Sequence, residues 1–172
     1  EPALAERGMT LIPMAMYVKQ HGIQKSLIGF DSWEGFSDEI KVDMALGGAD
    51  FGFKFPGGMW ASFDDVRSKV EKMGLEDLIV LEKGYFEKTL SRQAQRKYSF
   101  VHIDSDTYQS YKDTMEFFYP RMSKGGVILF DEYNDPPWPG CNKAIDEFLA
   151  DKPEKPLEIE ADGFQKWFVR KQ

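Results

Sequence analysis

Three observations predict an α/β fold built on a largely parallel sheet. Short apolar runs alternate with helix-compatible segments along most of the chain. Those runs, at 26–30, 78–81, 98–103 and 127–130, are mostly apolar, as strands covered on both faces are. Three of them run straight into carboxylates: Asp31, then Asp104 with Asp106, then Asp131 with Glu132. Strands followed by helices make βα units, and βα units make parallel sheets.

The elements follow in order. Residues 9–20 are apolar and helix-compatible, with Pro13 near the first turn and Gly22 placed to stop the helix. The strand at 26–30 ends in Asp31. Residues 32–60 lack periodicity and carry many glycines and the aromatics Phe51, Phe53, Phe55 and Trp60, which reads as a long connection, with a lid or substrate loop at about 36–60. Ser62 with Asp65 three residues on resembles a capping box, and Gly74 closes that helix. A strand at 78–81 leads to Lys83-Gly84-Tyr85-Phe86, and a weak helix is expected over 89–95. The strand 98–103 ends in Asp104-Ser105-Asp106. Tyr108, Tyr111, Met115 and Phe118 then share one helical face, with Gly125-Gly126 expected to end the helix. The apolar strand 127–130 ends in Asp131-Glu132, a helix covers 142–149, and 157–159 with 167–169 form a final antiparallel pair.

Bulk composition narrows the function. The chain has 172 residues, enough for one sizeable core and read as a single domain over 1–172, with 42% hydrophobic and 30% charged residues. A formal charge of −7 repels phosphate backbones and argues against nucleic acid as a partner. One cysteine, Cys141, excludes an internal disulfide framework and suits a reducing compartment. No apolar run is long enough to span a bilayer, and no signal peptide is evident, so a cytoplasmic protein without a membrane partner is expected.

The acids at the strand ends are the informative feature. Parallel strands bring their carboxyl ends to one rim, where open α/β sheets bind ligands. Like charges gathered there repel, and a bound cation, a ribose or a basic ligand would relieve the cost. Each acid taken singly also suits a turn or a helix cap; Asp104 and Asp106 both precede a helix, so either could cap it. Oxygen ligands without a histidine cluster suit Mg²⁺, Ca²⁺ or Mn²⁺. His21 and His102 read as structural, with His102 a candidate to support a neighbouring ligand.

Five blocks in order carry a family resemblance: Asp31-Ser32-Trp33-Glu34-Gly35-Phe36; Lys83-Gly84-Tyr85-Phe86-Glu87-Lys88-Thr89-Leu90; His102-Ile103-Asp104-Ser105-Asp106-Thr107-Tyr108; Asp131-Glu132-Tyr133 with Trp138-Pro139-Gly140; and Lys143-Ala144-Ile145-Asp146-Glu147-Phe148. From about residue 7 onward the chain resembles the macrocin O-methyltransferase family. The resemblance implies a Rossmann-like class I methyltransferase sheet and the use of S-adenosylmethionine and Mg²⁺ or another hard divalent cation. It implies a small-molecule acceptor, a hydroxyl of a glycosylated metabolite, and allows a homo-oligomer. Position by position, Asp31 would bind the cofactor ribose, with Ser32 beside it. Gly84, Tyr85, Phe86 and Ser105 would line the adenine side. Asp104, Asp131 and Glu132 would ligate the metal, and Asp106 would act as general base.

The family opens with a strand and glycine turn that hold the methionine part of the cofactor. Here that strand would precede residue 1, with Arg7-Gly8 and Thr10 as the remnant of the turn, so a missing or truncated first strand is expected. Other readings stay open. A metal-dependent phosphoesterase could use the same acids, and a non-catalytic relative could keep the fold alone. A dinucleotide-binding oxidoreductase would need a glycine-rich phosphate turn that is not visible.

Overall fold

The computed structural model describes residues 8, 10–35, 41–47, 61–161 and 163–172. They divide into two compact units, one formed from residues up to Gly35 and from Lys54–Thr89, the other from Phe36–Phe53 and Leu90–Gln172.

In the first unit, α1 (Leu11–Gln20) leads into β1 (Leu27–Asp31), and α3 (Phe63–Lys72) into β2 (Ile79–Lys83) and the one-turn α4 (Phe86–Thr89). β1 and β2 pair in parallel, Leu27 opposite Ile79 and Asp31 opposite Lys83. Ile12 and Ala15 of α1, Val70 of α3 and Leu75 bury against Leu27 and Ile79. Each such side chain contributes about 1.5–3 kcal/mol when taken from water, less for Ala. α3 starts as expected. Ser62 Oγ accepts from Asp65 N at 3.1 Å while the Asp65 carboxylate accepts from Ser62 N at 3.3 Å. The expected helix at 89–95 is instead α4 followed by a 3₁₀ turn at Leu90–Gln93.

In the second unit, β3 (Tyr98–Ile103) pairs in parallel with β4 (Met122–Phe130). β6 (Phe164–Arg170) runs antiparallel to β4, and β5 (Leu157–Ala161) antiparallel to β6, which is the antiparallel pair expected at the C-terminal end. α5 (Tyr108–Phe118) and α6 (Pro139–Leu149) pack together, burying Tyr111, Met115 and Phe118 with Ile145 and Leu149. α6 begins three residues before the expected start because Pro139 takes its first position, where a missing N–H costs nothing.

The chain departs from two expectations. α5 ends at Phe118, not at Gly125-Gly126: Pro120 converts the chain into a short 3₁₀ turn, Tyr119–Arg121. The two glycines lie within β4, where Gly125 adopts φ 79° and a Cβ on Gly126 would stand 3.1 Å from the Ser99 carbonyl oxygen. The close backbone approach is what requires glycine there. The second correction concerns the 32–60 connection, which holds a short helix, α2 (Lys41–Ala45). The expected lid at 36–40 and 48–60, with Phe36 and the four aromatics at 51–60, lies outside the described residues. So does Arg7 of the expected N-terminal remnant, whereas Gly8 and Thr10 are described. No helix among the described residues is long and apolar enough to cross a membrane.

Candidate active site

β3 and β4 are adjacent and parallel, with Ile103 opposite Phe130, so both strands release their chains at one end. The residues that follow are the predicted acids, and they converge. Ligand atoms of Asp104, Asp106 and Glu132 lie within 4.8 Å of one another, and those of His102, Asp104 and Asp131 form a second such group. The three expected metal ligands are therefore divided between two groupings that share Asp104.

Glu132 is the most deeply held of these acids, with only 3% of its surface exposed. Burial pushes its carboxyl well above the usual carboxylate range, and the charges of Asp106 and Asp104 push it further. Asp104 and Glu132 hydrogen-bond to each other, which two carboxyls do only by sharing a proton; burial raises Asp104 as well. Asp131 behaves in the opposite way. Burial alone would raise it, but hydrogen bonds from His102 and Lys166 outweigh that and hold it at about 2. His102 Nε2 lies 3.1 Å and Lys166 Nζ 2.8 Å from Asp131 Oδ1. Both contacts fall on Oδ1, so two donors hold that one oxygen.

Neither Asp104 nor Asp106 takes the helix-capping role. Thr107 is the N-cap of α5, its side chain accepting from Ser110 N. Asp106 sits at φ 63°, a left-handed conformation uncommon for a residue with a Cβ. Such strain persists where the surroundings impose it, and it concentrates at functional sites. Ser105 Oγ is buried with no hydrogen-bond partner among the described residues. A buried hydroxyl left unpaired costs about 1–3 kcal/mol, and a ligand atom would remove that cost.

The other expected cofactor residues belong to the first unit. Asp31 closes β1, and its Oδ1 accepts from Trp33 N at 2.7 Å in a tight turn. Ser32 Oγ donates to the Gly35 carbonyl at 2.8 Å and accepts from Glu34 N at 3.1 Å. Gly84 N donates to the Asp31 carbonyl at 2.9 Å, so the ends of β1 and β2 are tied together. Gly84 adopts φ 131°, and a Cβ there would meet Thr89 Cγ2 at 3.1 Å, so glycine is required for both reasons. Tyr85 and Phe86 follow it, half-buried.

Two residues escaped the sequence reading. Tyr111, assigned to an apolar helix face, is fully buried and places its hydroxyl 3.0 Å from the Ile103 carbonyl and 2.5 Å from Glu132 Oε2, while accepting from Glu132 N at 3.3 Å. It thus bridges the ends of β3 and β4. Lys166 also bonds the Asp131 carbonyl at 3.0 Å. A tyrosine in a helical stripe was a visible signal; nothing local marks the lysine.

A parallel β3–β4 core with acids at its carboxyl rim and an antiparallel hairpin beside it is the architecture of class I methyltransferases. The model of the family Macrocin-O-methyltransferase (TylF) matches residues 5–170, and the chain belongs to that family. It is 28% identical over 130 residues to 8-demethyl-8-(2,3-dimethoxy-alpha-L-rhamnosyl)-tetracenomycin-C 4'-O-methyltransferase of Streptomyces olivaceus, covering 74% of this chain and 49% of the relative. With demethyldecarbamoylnovobiocin O-methyltransferase of Streptomyces niveus it shares 26% identity over 162 residues, 91% of this chain and 61% of the relative. The chain thus spans about half of the first of these relatives and about three fifths of the second. Among solved structures, the O-methyltransferase NovP superposes with a TM-score of 0.82 at 23% identity, over 97% of this chain and 69% of that one.

Proposed function

We propose that this chain carries the catalytic part of an S-adenosylmethionine-dependent O-methyltransferase whose acceptor is a hydroxyl, on a sugar of a small glycosylated metabolite. The observation that carries the reading is the convergence of Asp104, Asp106 and Glu132 from two adjacent strand ends, within 4.8 Å of one another. Membership of the macrocin family supports the reaction type. The acceptor class rests on relatives whose names specify O-methylation of a rhamnosyl-tetracenomycin and of a demethyldecarbamoylnovobiocin. Two similar structures, at TM-scores of 0.55 and 0.53, are described as bound to S-adenosylhomocysteine.

The residues fit both groups that the reading requires. For the cofactor, Asp31 offers a carboxylate to vicinal hydroxyls, with Ser32 beside it. Gly84 lets the backbone approach closely ahead of Tyr85 and Phe86, and Ser105 brings a hydroxyl in need of a partner. For a hard cation such as Mg²⁺, Asp104, Asp131 and Glu132 supply oxygen donors, Asp104 belonging to both groupings. S-adenosylmethionine would supply the sulfonium methyl, and the cation would make the acceptor hydroxyl more acidic.

The chain's own work is then to hold and to deprotonate. Lys166 and His102 keep Asp131 ionised and fixed. Tyr111 holds Glu132 at the β3–β4 junction. Asp106, in its left-handed turn, would take the acceptor's proton, a role worth about 10²–10⁴ in rate for a well-placed base.

The test is methyl transfer from S-adenosylmethionine to glycosylated acceptors, with calorimetry of cofactor binding with and without Mg²⁺. Asp106→Asn is expected to lower kcat by roughly a hundredfold or more with cofactor affinity retained. Unchanged turnover would return Asp106 to a purely conformational role, and cofactor binding without any transfer would leave a binding module.

A further inference from the structure

α2 is linked to the turn that bears Asp104 and Asp106 by one buried carboxylate. Asp43 is only 7% exposed, and both its oxygens accept from the Tyr108 backbone N–H, at 3.0 and 3.2 Å, across 65 residues of sequence. Tyr108 is the first residue of α5, two after Asp106. Its N–H is one of the donors that every helix start leaves unsatisfied, and Thr107 serves a different one, that of Ser110. Burial pushes the Asp43 carboxyl up, and the Tyr108 N–H draws it back down.

The junction is shaped for that carboxylate. A Cβ on Gly140, in the first turn of α6, would lie 1.7 Å from Asp43 Oδ1 and 3.1 Å from Tyr108 Cβ. Only glycine leaves the opening that Asp43 fills. What Asp43 anchors is the chain immediately after Asp106, whose φ of 63° carries a cost of about 1–3 kcal/mol that neighbouring contacts must sustain. Asp106 is the residue whose exact placement the reaction would need, because an error of about 1 Å in such a group can cost a hundredfold in rate.

We propose that Asp43 is a positioning residue, reaching from α2 to fix the left-handed turn of Asp106, so that α2 and the proton-accepting acid move as one. The proposal rests on the O-methyltransferase reading of Asp106. It gives α2 a role of its own: binding that displaces α2 would displace the acid as well.

The experiment compares Asp43→Ala, Asp43→Asn and Gly140→Ala with the unaltered chain. Amide hydrogen exchange of the peptide spanning Thr107–Tyr111 is measured alongside kcat, KM for S-adenosylmethionine and Tm. Asp43→Ala should speed exchange at the α5 start by about tenfold or more. Its kcat should fall roughly ten- to a hundredfold while KM for the cofactor stays within about twofold. Gly140→Ala should reproduce both effects by expelling the carboxylate, whereas Asp43→Asn, which keeps an acceptor oxygen, should recover most of the turnover. Unchanged exchange in Asp43→Ala overturns the clamp. Faster exchange with undiminished kcat overturns the positioning role and leaves an anchor for α2. If the unaltered chain transfers no methyl group, the O-methyltransferase reading fails separately, and exchange still decides whether Asp43 holds the turn.

Discussion

Replacing Glu132 with glutamine should make the metal-free protein more stable while removing the methyl transfer proposed for it. Glu132 is 3% exposed and shares a cluster with Asp104 and Asp106, so its ionised form suffers both burial and repulsion. Each pKa unit of upward displacement corresponds to about 1.4 kcal/mol lost from stability once the pH passes the folded-state value. Glutamine keeps an oxygen for the Tyr111 hydroxyl and offers an amide N–H₂ to the neighbouring carboxylates. A buried polar group without compensation costs about 1–3 kcal/mol, more when charged, and relieving that cost should give about 2 kcal/mol here. For a chain of this size that is a rise in Tm of roughly 4–8 °C. The sign with pH follows from the raised folded-state pKa. The wild-type protein keeps its full stability below the ordinary value of 4.5 and loses it as pH rises through the folded-state value. The advantage of Glu132→Gln should therefore be small at pH 4.5 and large at pH 8. Urea denaturation with chelator, repeated across that range, measures it. Excess Mg²⁺ should shrink or reverse the difference by compensating the wild-type charge. A destabilised Glu132→Gln, or a gap that does not change with pH, would refute the account of a cluster strained by its own charge.

Two further outcomes follow, one from the Tyr111 bridge to Glu132 and one from Glu154. Tyr111→Phe removes the hydroxyl that joins Ile103 to Glu132, and thermal denaturation should show a loss of about 2–4 kcal/mol together with a fall in turnover; an unaltered Tm would mean that the bridge is not formed. Glu154 lies 3% exposed and accepts from Tyr119 Oη at 2.6 Å, Gln172 N at 3.0 Å and Lys171 Nζ at 3.1 Å. Burial would raise its carboxyl, but these donors bring it down to about 2, so its stabilising effect is present above pH 4.5 and lost as pH falls towards 2. Glu154→Gln should cost about 1–3 kcal/mol at neutral pH and little near pH 2–3, as followed by denaturant unfolding.

Where the sequence was legible, the cause was local. The capping box at Ser62 depends on residues three apart, and β3 was bounded correctly at 98–103 because its apolar run stops at an acid. The acids at the rim were legible because parallel pairing puts strand ends together whatever separates them in the chain. α2 was missed because five residues show no helical period, and its buried Asp43 looks in sequence like any solvated acid. Gly125-Gly126 resembled a helix stop because glycine signals both a turn and a close backbone contact, and only the neighbouring strand distinguishes them. Lys166 was invisible since its partner, Asp131, lies 35 residues away.

The hairpin's contribution to the rim has an electrostatic consequence. One positive charge, borrowed from β6, faces the acid that begins the Asp131-Glu132 pair, so the cluster is asymmetric: one carboxyl is held below the usual carboxylate range while its neighbour is pushed above it. Excising or reshuffling β5–β6 would therefore do more than uncover β4. It would return Asp131 to competition for protons with its neighbours, and a hairpin graft that restored the backbone but not Lys166 would rebuild the sheet around a differently charged rim.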